Sequence, residues 1–443
     1  MVDQTNNLDK PDEIDGNAMY KWLQELFPIC RSLTGEGVRE TLDYLKTVIP
    51  NLNVHSIPTG TAAFDWVVPD EWNITDAYIK DSSGKRLVDF RKNNLHVVGY
   101  SEPVEKVIDF KELDLHLYSL PEQPNAIPYV TSYYEKRWGF CVTENQRELL
   151  SKKEGEKFSI KIESELKQGF LNYGELIIPG SSEKEILLST YVCHPSMANN
   201  ELSGPCVTTA LARKIESLGN NFYTYRILFL AETLGSIVYL SKHLEKMKRD
   251  VVAGFVLTCV GDNKRYSYIE SRYGNTLADK ISKHVLTHHV DKFDQYSFLQ
   301  RGSDERQYCG PGVDLPVCSI CRSKYNEYPE YHTSLDNLDF VSPEGLQGAF
   351  DVYSKIILFL ENNKTFECTI ICEPQLGKRG LYPTISDKRS YNLTRDMMNL
   401  IAYADGNNTL LEIATILNIS MERLIPIAQN LCTAGILRES KIL

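Results

Sequence analysis

The sequence lacks the long hydrophobic runs that membrane-spanning helices require. No window reaches about 18 apolar residues, and residues 1–15 contain neither the basic nor the apolar region of a secretion signal. We therefore expect a cytoplasmic protein with no membrane partner. Positive charge is also scarce, because 59 Asp and Glu outnumber 48 Lys and Arg and give a net charge of −11. This balance disfavours nucleic acids and anionic membranes as the main partners.

Cysteine and histidine patterns typical of a disulfide framework or a familiar zinc motif are also missing. The 11 cysteines form an odd set with irregular spacing, which indicates the reduced thiols of a cytosolic protein. Cys318 and Cys321 form a C-x-x-C pair without the second pair that a structural zinc site needs. His284 and His288 lack the glutamate of an H-E-x-x-H motif, so we interpret them as solvated helix residues.

What the chain does contain is the composition of a soluble globular protein. Its 443 residues, 42% apolar and 24% charged, fit two or three domains. Helical spacing of apolar residues at 19–27 and 34–45 predicts two opening helices. From about 62 to 150, short β-rich runs with frequent prolines predict a small inserted β domain, with a hairpin around 83–84 and a strand at 94–101.

Beyond residue 155 the pattern alternates between apolar strands and amphipathic helices. The predicted strands are 157–164, 174–180, 185–192, 225–232 and 251–260. Helices are predicted at 204–219 and 237–249. This alternation predicts an α/β sheet with helices on both faces, in which catalytic groups lie at the carboxyl ends of the strands.

The last part of the chain predicts three short helices followed by a short apolar tail, as in a winged helix-turn-helix. From residue 394 onward it carries four Lys or Arg and five Asp or Glu. A domain that binds DNA needs cations for phosphate contacts. We therefore expect this domain to dock a protein, or to form a homodimer, rather than to bind DNA.

Three chemically capable side chains follow predicted strands or turns. His194 comes after the strand 185–192, Glu232 ends the strand 225–232, and His332 lies in a polar turn before a helix. Zinc-dependent hydrolysis needs nitrogen or oxygen ligands, an open position for water and a base. The joint placement indicates a candidate site, although each residue alone has a simpler interpretation: a lone histidine is often an ordinary polar residue, and a glutamate can cap the next helix.

Five segments, in order, resemble the di-zinc aminopeptidase family. They are the strand and loop ending in CHPSMANNELSG at 193–204, ILFLAETLGS at 227–236, GFVLTCVGDN at 254–263, GSDERQYCGPGVDLPVCSI at 302–320 and YHTSLDNLDFVSPEGL at 331–346. The whole chain resembles a bacterial family of aminopeptidase-like proteins of unknown function that is often associated with polysaccharide biosynthesis. The resemblance implies a phosphorylase/hydrolase-like mixed α/β sheet with helices on both faces.

Together, these observations predict three domains. The aminopeptidase-like α/β domain comprises 1–61 and 151–364, the inserted β-rich domain 62–150, and the winged helix-like domain 365–443.

The resemblance also aligns the family's site with this chain. The two histidine ligands match His194 and His332, and the general base matches Glu232. The three carboxylate ligands match Asn200, Thr233 and Thr258, none of which is anionic. Two dications without bridging anions repel each other strongly at low dielectric. We therefore expect no di-zinc site. A single zinc ion could be held by His194 and His332 with Glu232, unless Glu232 is the base, and Asn200, Asp262 or Asp304 could complete the ligand set. In a metal-free site, the histidines and Glu232 would exchange protons or only bind a ligand.

Three more residues are candidates for substrate binding. The guanidinium of Arg322 could hold a substrate carboxylate or form an ordinary ion pair. Tyr331 could form a pocket wall or simply pack, and Asp304 could reach the site or hold its loop.

The preferred hypothesis is a zinc-dependent hydrolase of amide bonds in a small peptide or a glycan-derived amide. The alternative is a non-catalytic binding or scaffold protein linked to polysaccharide biosynthesis, because a shared fold does not establish function.

Overall fold

The structure is a computed structural model that describes residues 14–153, 155–381 and 388–440. Its α-helices are α1 (Gly16–Leu26), α2 (Glu36–Val48), α3 (Phe110–Asp114), α4 (Glu144–Ser151), α5 (Ser203–Leu218), α6 (Leu234–Asp250), α7 (Leu277–His289), α8 (Glu305–Tyr308), α9 (Pro343–Asn362), α10 (Lys388–Tyr403), α11 (Leu410–Leu417) and α12 (Met421–Thr433). Within these described residues, no helix has the length and apolar character needed to span a bilayer.

The strands form several separate sheets. They are β1 (Asn53–Pro58), β2 (Ala62–Ala63), β3 (Trp66–Val67), β4 (Glu71–Lys80), β5 (Arg86–Asp89), β6 (Val104–Asp109), β7 (Leu117–Tyr118), β8 (Phe140–Cys141), β9 (Lys157–Lys167), β10 (Phe170–Ile178), β11 (Glu185–Tyr191), β12 (Thr224–Leu230), β13 (Val251–Val256), β14 (Ser267–Ile269), β15 (Asp294–Tyr296), β16 (Val317–Cys321), β17 (Thr365–Cys368), β18 (Asp405–Thr409) and β19 (Leu437–Glu439).

The main sheet has eight strands in the order β1-β10-β12-β11-β13-β16-β14-β15. Strand β11 pairs in parallel with β12 and β13, and β13 pairs in parallel with β16. All seven residues of β11 are buried, as expected of a central strand covered on both faces. The predicted mixed α/β sheet is therefore confirmed.

Parallel pairing brings the ends of β11, β12 and β13 to one edge of the sheet. The chain turns there into α5 after β11 and into α6 after β12. Gly204, in the first turn of α5, allows a very close approach, since a Cβ at this position would lie 2.3 Å from the carbonyl oxygen of Leu257. The helix can therefore start directly against the end of the sheet, where the strand rule places functional groups.

A second, antiparallel sheet has the order β5-β4-β9-β6. The predicted hairpin is confirmed, with β4 and β5 on either side of the turn. The prediction that 157–164 joins the main sheet is wrong, because β9 pairs with β4 and β6. This sheet therefore includes a strand beyond the 62–150 segment. In β9 the first half alternates between exposed or half-buried and buried residues, which suits a sheet with one face on a core.

The predicted strand at 94–101 is also wrong. Residues Asn94–His96 form a 3-10 turn, and the side chain of Asn93 accepts a hydrogen bond from the backbone N–H of Leu95 at 2.9 Å. Such a side-chain-to-backbone bond gives the chain a turn in place of a β ladder. The apolar run that follows makes isolated bridges at Val97 and Gly99 rather than a strand.

The chain separates into two compact units. One contains both large sheets and comprises Met1–Ala278 and Asp294–Phe350, and the other comprises Asp279–Phe293 and Asp351–Leu443. The second unit holds α10, α11 and α12 and a three-stranded sheet in the order β18-β17-β19. The three predicted helices are confirmed, and a capping box between Thr409 and Glu412 starts α11. Strand β17 was not predicted.

Candidate active site

A cavity of about 380 Å³ lies where β11 and β12 end. The polar side chains that the α/β framework supplies to it are Cys193, His194, Glu232, Thr233, Arg306 and His332. The sequence-predicted His194, Glu232 and His332 thus share one cleft, although they lie far apart along the chain. The strand-end rule was sufficient to find the first two, and His332 reaches the cavity from the loop between β16 and α9.

His194 is held by a buried chain of charged groups. Its Nδ1 lies 2.8 Å from Oε2 of Glu201, and Oε1 of Glu201 lies 3.4 Å from Nε of Arg31. Arg31 also donates from Nε to the carbonyl oxygen of His194 at 3.0 Å and from Nη1 to that of Leu26 at 2.9 Å. The side chains of Arg31 and Glu201 are fully buried. With Nδ1 held by this carboxylate, Nε2 of His194 faces the cavity side.

Glu232 approaches His194 from that side. Its Oε2 lies 3.7 Å from Nε2 of His194, and its Oε1 accepts a hydrogen bond from the hydroxyl of Ser303 at 2.8 Å. Burial raises the pKa of Glu232, while the neighbouring His194 acts in the opposite direction. A carboxyl group with a raised pKa beside an imidazole is typical of groups that transfer protons.

The ring of His332 lies 5.6 Å, centroid to centroid, from the ring of His194 and stacks on Tyr331 at 3.9 Å. Its Nε2 is buried and has no hydrogen-bond partner among the described residues. Burial, followed by the charge of His194, lowers the pKa of His332 to about 3. His332 is therefore neutral at physiological pH, and its unpartnered nitrogen can serve as a ligand.

The protonation of His194 follows from different neighbours. Burial lowers its pKa, but the adjacent Cys193 and the carboxylate of Glu201 outweigh burial, so that the pKa lies well above the usual value. The two imidazoles thus differ in their tendency to hold a proton, because only one of them has a carboxylate partner.

The three positions that the resemblance aligns with carboxylate ligands are neutral. Tyr191 donates a hydrogen bond to Oδ1 of Asn200 at 3.2 Å, and its hydroxyl lies 2.6 Å from Oγ1 of Thr258. Thr233 accepts a hydrogen bond from Arg306 at 2.5 Å. A phenol hydroxyl thus lies between Asn200 and Thr258. The predicted ligand oxygen of Asn200 is already used, and its Nδ2 has no partner among the described residues.

The loop that carries Asn200 is positioned by a buried carboxylate. Asp336 accepts hydrogen bonds from the backbone N–H groups of Asn199 at 2.6 Å and Asn200 at 2.9 Å. Burial raises the pKa of Asp336 to about 6, while these N–H groups act in the opposite direction. Asp336 thus ties the loop that follows His194 to the loop that carries His332.

The three predicted substrate-binding residues do not line the cavity. Arg322 donates to the carbonyl oxygen of Asp262 at 2.8 Å and lies over the ring of Tyr266 at 3.9 Å. The ring of Tyr331 stacks on the ring of His332. Asp304 is buried, and its Oδ1 accepts hydrogen bonds from the backbone N–H of Thr233 at 2.7 Å and the hydroxyl of Ser236 at 2.8 Å.

The bond to Asp304 also explains an unusual backbone. Thr233 has φ 64° and ψ −69°, which is rare for a β-branched residue. Two hydrogen bonds hold Thr233 in this conformation, one from its N–H to Asp304 and one to its hydroxyl from Arg306. Strained backbone of this kind persists where surrounding contacts over-determine it, often at functional sites.

The inserted β-rich segment supplies the aromatic wall of the cavity. Trp66, Tyr129, Tyr133 and Tyr134 all face it. The hydroxyls of Tyr129 and Tyr133 lie 2.9 Å apart, and the ring of Tyr129 contacts His194 edge-on at 5.2 Å. The sequence predicted the insertion but not its contribution to the cavity. It also carried no signal for the buried partner Arg31, which lies about 160 residues before His194.

A second potential ligand cluster lies behind the cavity. Ligand atoms of Cys193, His194 and Glu201 lie within 4.8 Å of one another. The cation of Arg31 contacts Glu201, and a positive charge there disfavours a metal ion. Burial also raises the pKa of Cys193 to about 11, so its thiol stays protonated at neutral pH. The cluster is better described as the support of His194.

Asp304 provides a pH-dependent test of this arrangement. Burial, followed by the charge of Glu232, raises its pKa to about 7 from 3.8. A raised carboxyl pKa means that the folded state holds the extra proton between these values, so stability is lost as the pH rises through them, by about 1.4 kcal/mol per unit. We expect Asp304→Asn to remove this pH-dependent contribution to the free energy of unfolding, measured in chelator-treated protein.

The measurement is urea unfolding of wild type and variant between pH 4 and 8. As the pH rises to about 7, the free energy of unfolding of the wild type should fall relative to that of the variant, and above this pH the difference should stay constant. Substitution of the exposed Asp43 by asparagine serves as the control. Parallel pH profiles for wild type and Asp304→Asn would contradict the assignment.

Comparison with known proteins places these features in a family. A family model described as "Domain of unknown function (DUF4910)" matches residues 20–363, and a winged helix-turn-helix model matches 364–439. A protein of Clostridium acetobutylicum is 44% identical over 401 residues, covering 90% of this chain and 91% of that protein. Its name describes a polysaccharide biosynthesis protein with an aminopeptidase-like domain.

Solved structures agree with this assignment. A crystal structure named for a peptidase of Clostridium acetobutylicum has a TM-score of 0.90 and 41% identity, with 96% of each chain covered. A zinc aminopeptidase of Bacillus subtilis has a TM-score of 0.55 and 13% identity, covering 78% of this chain and 95% of that one, and therefore shows the fold alone. The chain accordingly belongs to the DUF4910 family and is an aminopeptidase-like protein with a C-terminal winged helix-turn-helix domain.

Proposed function

We propose that the protein is a zinc-dependent hydrolase of amide bonds that holds one ion between His194 and His332. The observation that supports this most strongly is the buried Nε2 of His332, which lines the cavity without a hydrogen-bond partner among the described residues. A buried imidazole nitrogen that lacks a partner costs free energy. A metal ion bound there would offset that cost.

The donor set fits one zinc ion. His194 has the carboxylate of Glu201 on Nδ1, the arrangement that orients metal-binding histidines. Nε2 of His194 and the unpartnered Nε2 of His332 would be the nitrogen ligands, and Glu232 lies beside them, with Oε2 3.7 Å from Nε2 of His194. The donor set does not fit a second ion, because Asn200, Thr233 and Thr258 provide no negative charge. When bound, zinc would polarise an amide carbonyl and acidify a water molecule.

The chain's own residues would supply the remaining chemistry. Glu232, with its raised pKa and its hydrogen bond from Ser303, would accept the proton of the attacking water and pass it to the leaving amine. The aromatic side chains of the insertion would exclude bulk water and hold the substrate. A peptide or a glycan-derived amide fits this chemistry, and the name of the Clostridium relative favours the glycan.

A specific observation also supports the alternative of a binding protein without catalysis. The hydroxyl of Tyr191 lies between Asn200 and Thr258, which are neutral where the resemblance expects ligands. A chain that had lost hydrolysis could tolerate this neutral cluster. Metal analysis separates the two hypotheses, since the hydrolase requires about one zinc per chain and the binding protein requires none.

Docking of a protein by the winged helix remains our proposal for the second unit. The cation Arg423 of α12 pairs with Asp396 of α10 at 2.5 Å. An arginine neutralised within its own domain contributes less to phosphate binding. This pairing supports a protein partner or a second copy of the chain over DNA.

Glu232→Gln tests the proposed base. The amide keeps the shape of the carboxylate and its acceptor for Ser303, so we expect zinc content to stay near that of wild type. Hydrolysis, measured as amine released from aminoacyl anilides and N-acetylated sugars, should fall about 100- to 10,000-fold. Loss of zinc together with activity would instead make Glu232 a ligand and remove it as the base.

A further inference from the structure

Arg306 is a cation on the cavity wall that forms no ion pair with the described residues. Its Nη2 donates to the hydroxyl of Thr233 at 2.5 Å, and no carboxylate oxygen of the described residues lies within 4.0 Å of its guanidinium nitrogens. Arg306 is exposed at the cavity wall, and its fork matches two carboxylate or phosphate oxygens. The remaining donors of Arg306 are thus available to a ligand.

The aromatic wall completes a binding surface on the insertion. Trp66 and Tyr134 are 40% and 58% exposed, yet both line the cavity, and their rings lie 6.3 Å apart. The hydroxyl of Tyr134 donates to the carbonyl oxygen of Val67 at 2.8 Å, which holds its ring in place. Exposed aromatic side chains that converge on a cavity indicate a ligand contact rather than core packing.

Arg306 and the aromatic pair Trp66 and Tyr134 line the same cavity as the groups that would cleave an amide. Among the described residues, the cavity lining includes one carboxylate, Glu232, beside the two imidazoles, and Arg306 lies near enough to lower the pKa of Glu232. A negatively charged substrate group is repelled by Glu232 and attracted by Arg306. The negative charge of this substrate group therefore determines which end of the substrate lies beside Arg306.

We infer that Arg306 binds an anionic group of the substrate while an adjacent ring packs on Trp66 and Tyr134. The cavity then selects amides that carry a carboxylate or a phosphate near the bond to be cleaved. This substrate class rests on the proposed function for the amide, but the binding preference requires neither zinc nor hydrolysis. Failure of hydrolysis therefore leaves the selectivity testable.

The probes are three sugars with the same acetamido ring and different charge. N-acetylglucosamine is neutral, N-acetylmuramic acid adds a carboxylate, and N-acetylglucosamine 1-phosphate adds a phosphate. Titration calorimetry of chelator-treated wild-type protein should give at least about 10-fold tighter binding for one charged sugar, the value of one charge-assisted contact. The tighter of the two identifies the anion.

Arg306→Gln should lower the affinity for the preferred charged sugar by at least about 10-fold and so abolish this preference. Arg301→Gln is the matched control, because Arg301 is exposed and bonds only to the carbonyl oxygen of Phe298 among the described residues. Circular dichroism confirms that both variants fold. Equal binding of the three sugars by wild type, no measurable binding of either charged sugar, or an unchanged preference in Arg306→Gln would each overturn the inference.

Discussion

His332→Ala is expected to lower the zinc affinity of the protein by at least about 100-fold. Partners outside the ligand set typically contribute 10- to 100-fold to metal affinity, and a direct ligand contributes more. The side chain of His332 makes no hydrogen bond through Nε2 among the described residues, so its removal breaks no protein contact at that atom. The substitution does remove the stacking on Tyr331, so loss of zinc reports coordination where circular dichroism shows that the variant is folded.

The measurement is competition against a chelating dye, followed by metal analysis of the dialysed protein. His288→Ala is the matched control, since it removes an imidazole from α7, outside this cavity. Wild-type protein should retain about one zinc, the control should match it, and His194→Ala should resemble His332→Ala. Zinc-free wild-type protein would refute the single-ion hydrolase and favour the binding protein. Full zinc in His332→Ala would instead refute His332 as a ligand of the ion.

Glu201→Gln is expected to destabilise the protein by about 3–5 kcal/mol, the second large effect. Arg31 is fully buried beside Glu201, and removing one partner of a buried ion pair leaves an uncompensated charge. Burial already lowers the pKa of Arg31, with the charge of Glu201 acting against it. The substitution also removes the carboxylate that orients His194.

Urea unfolding measures this loss in chelator-treated protein, so that zinc binding does not add to it. Glu36→Gln is the control, because Glu36 pairs with Arg39 at 2.7 Å but is 72% exposed, and such surface pairs contribute about 1 kcal/mol or less. Replacing both Arg31 and Glu201 by apolar residues should restore much of the stability, since no buried charge remains unpaired. A loss no larger than that of the control would mean that the buried pair is energetically unimportant.

Local patterns were enough to predict much of the framework. Apolar strands between amphipathic helices predicted the α/β sheet, and His194 and Glu232 follow β11 and β12 as the strand rule requires. The three helices of the last domain followed from their apolar spacing. These features depend on interactions between near neighbours, or on the shared direction of parallel strands, and both can be read from a sequence.

The errors had long-range or competing local causes. Strand β9 has an ordinary strand pattern, but its partners β4 and β6 lie about 50 or more residues away, with Asp109 and Lys157 as the nearest pair, and no local signal specifies which sheet a strand joins. The segment 94–101 has the apolar pattern of a strand. The side chain of Asn93 accepts a hydrogen bond from the backbone N–H of Leu95, which favours a turn instead. Arg322 was a reasonable substrate ligand by sequence, yet its guanidinium is held by Asp262 and Tyr266.

The sequence by itself determined the fold class and which residue types are available for chemistry. Through the resemblance it also implied that the three carboxylate ligand positions carry the neutral residues Asn200, Thr233 and Thr258. Tertiary structure alone decided which groups meet. It placed Arg31 and Glu201 behind His194, the hydroxyl of Tyr191 between Asn200 and Thr258, and Arg306 on the cavity wall. Contacts between residues so far apart depend on how whole sheets and loops pack, and local spacing does not encode that packing.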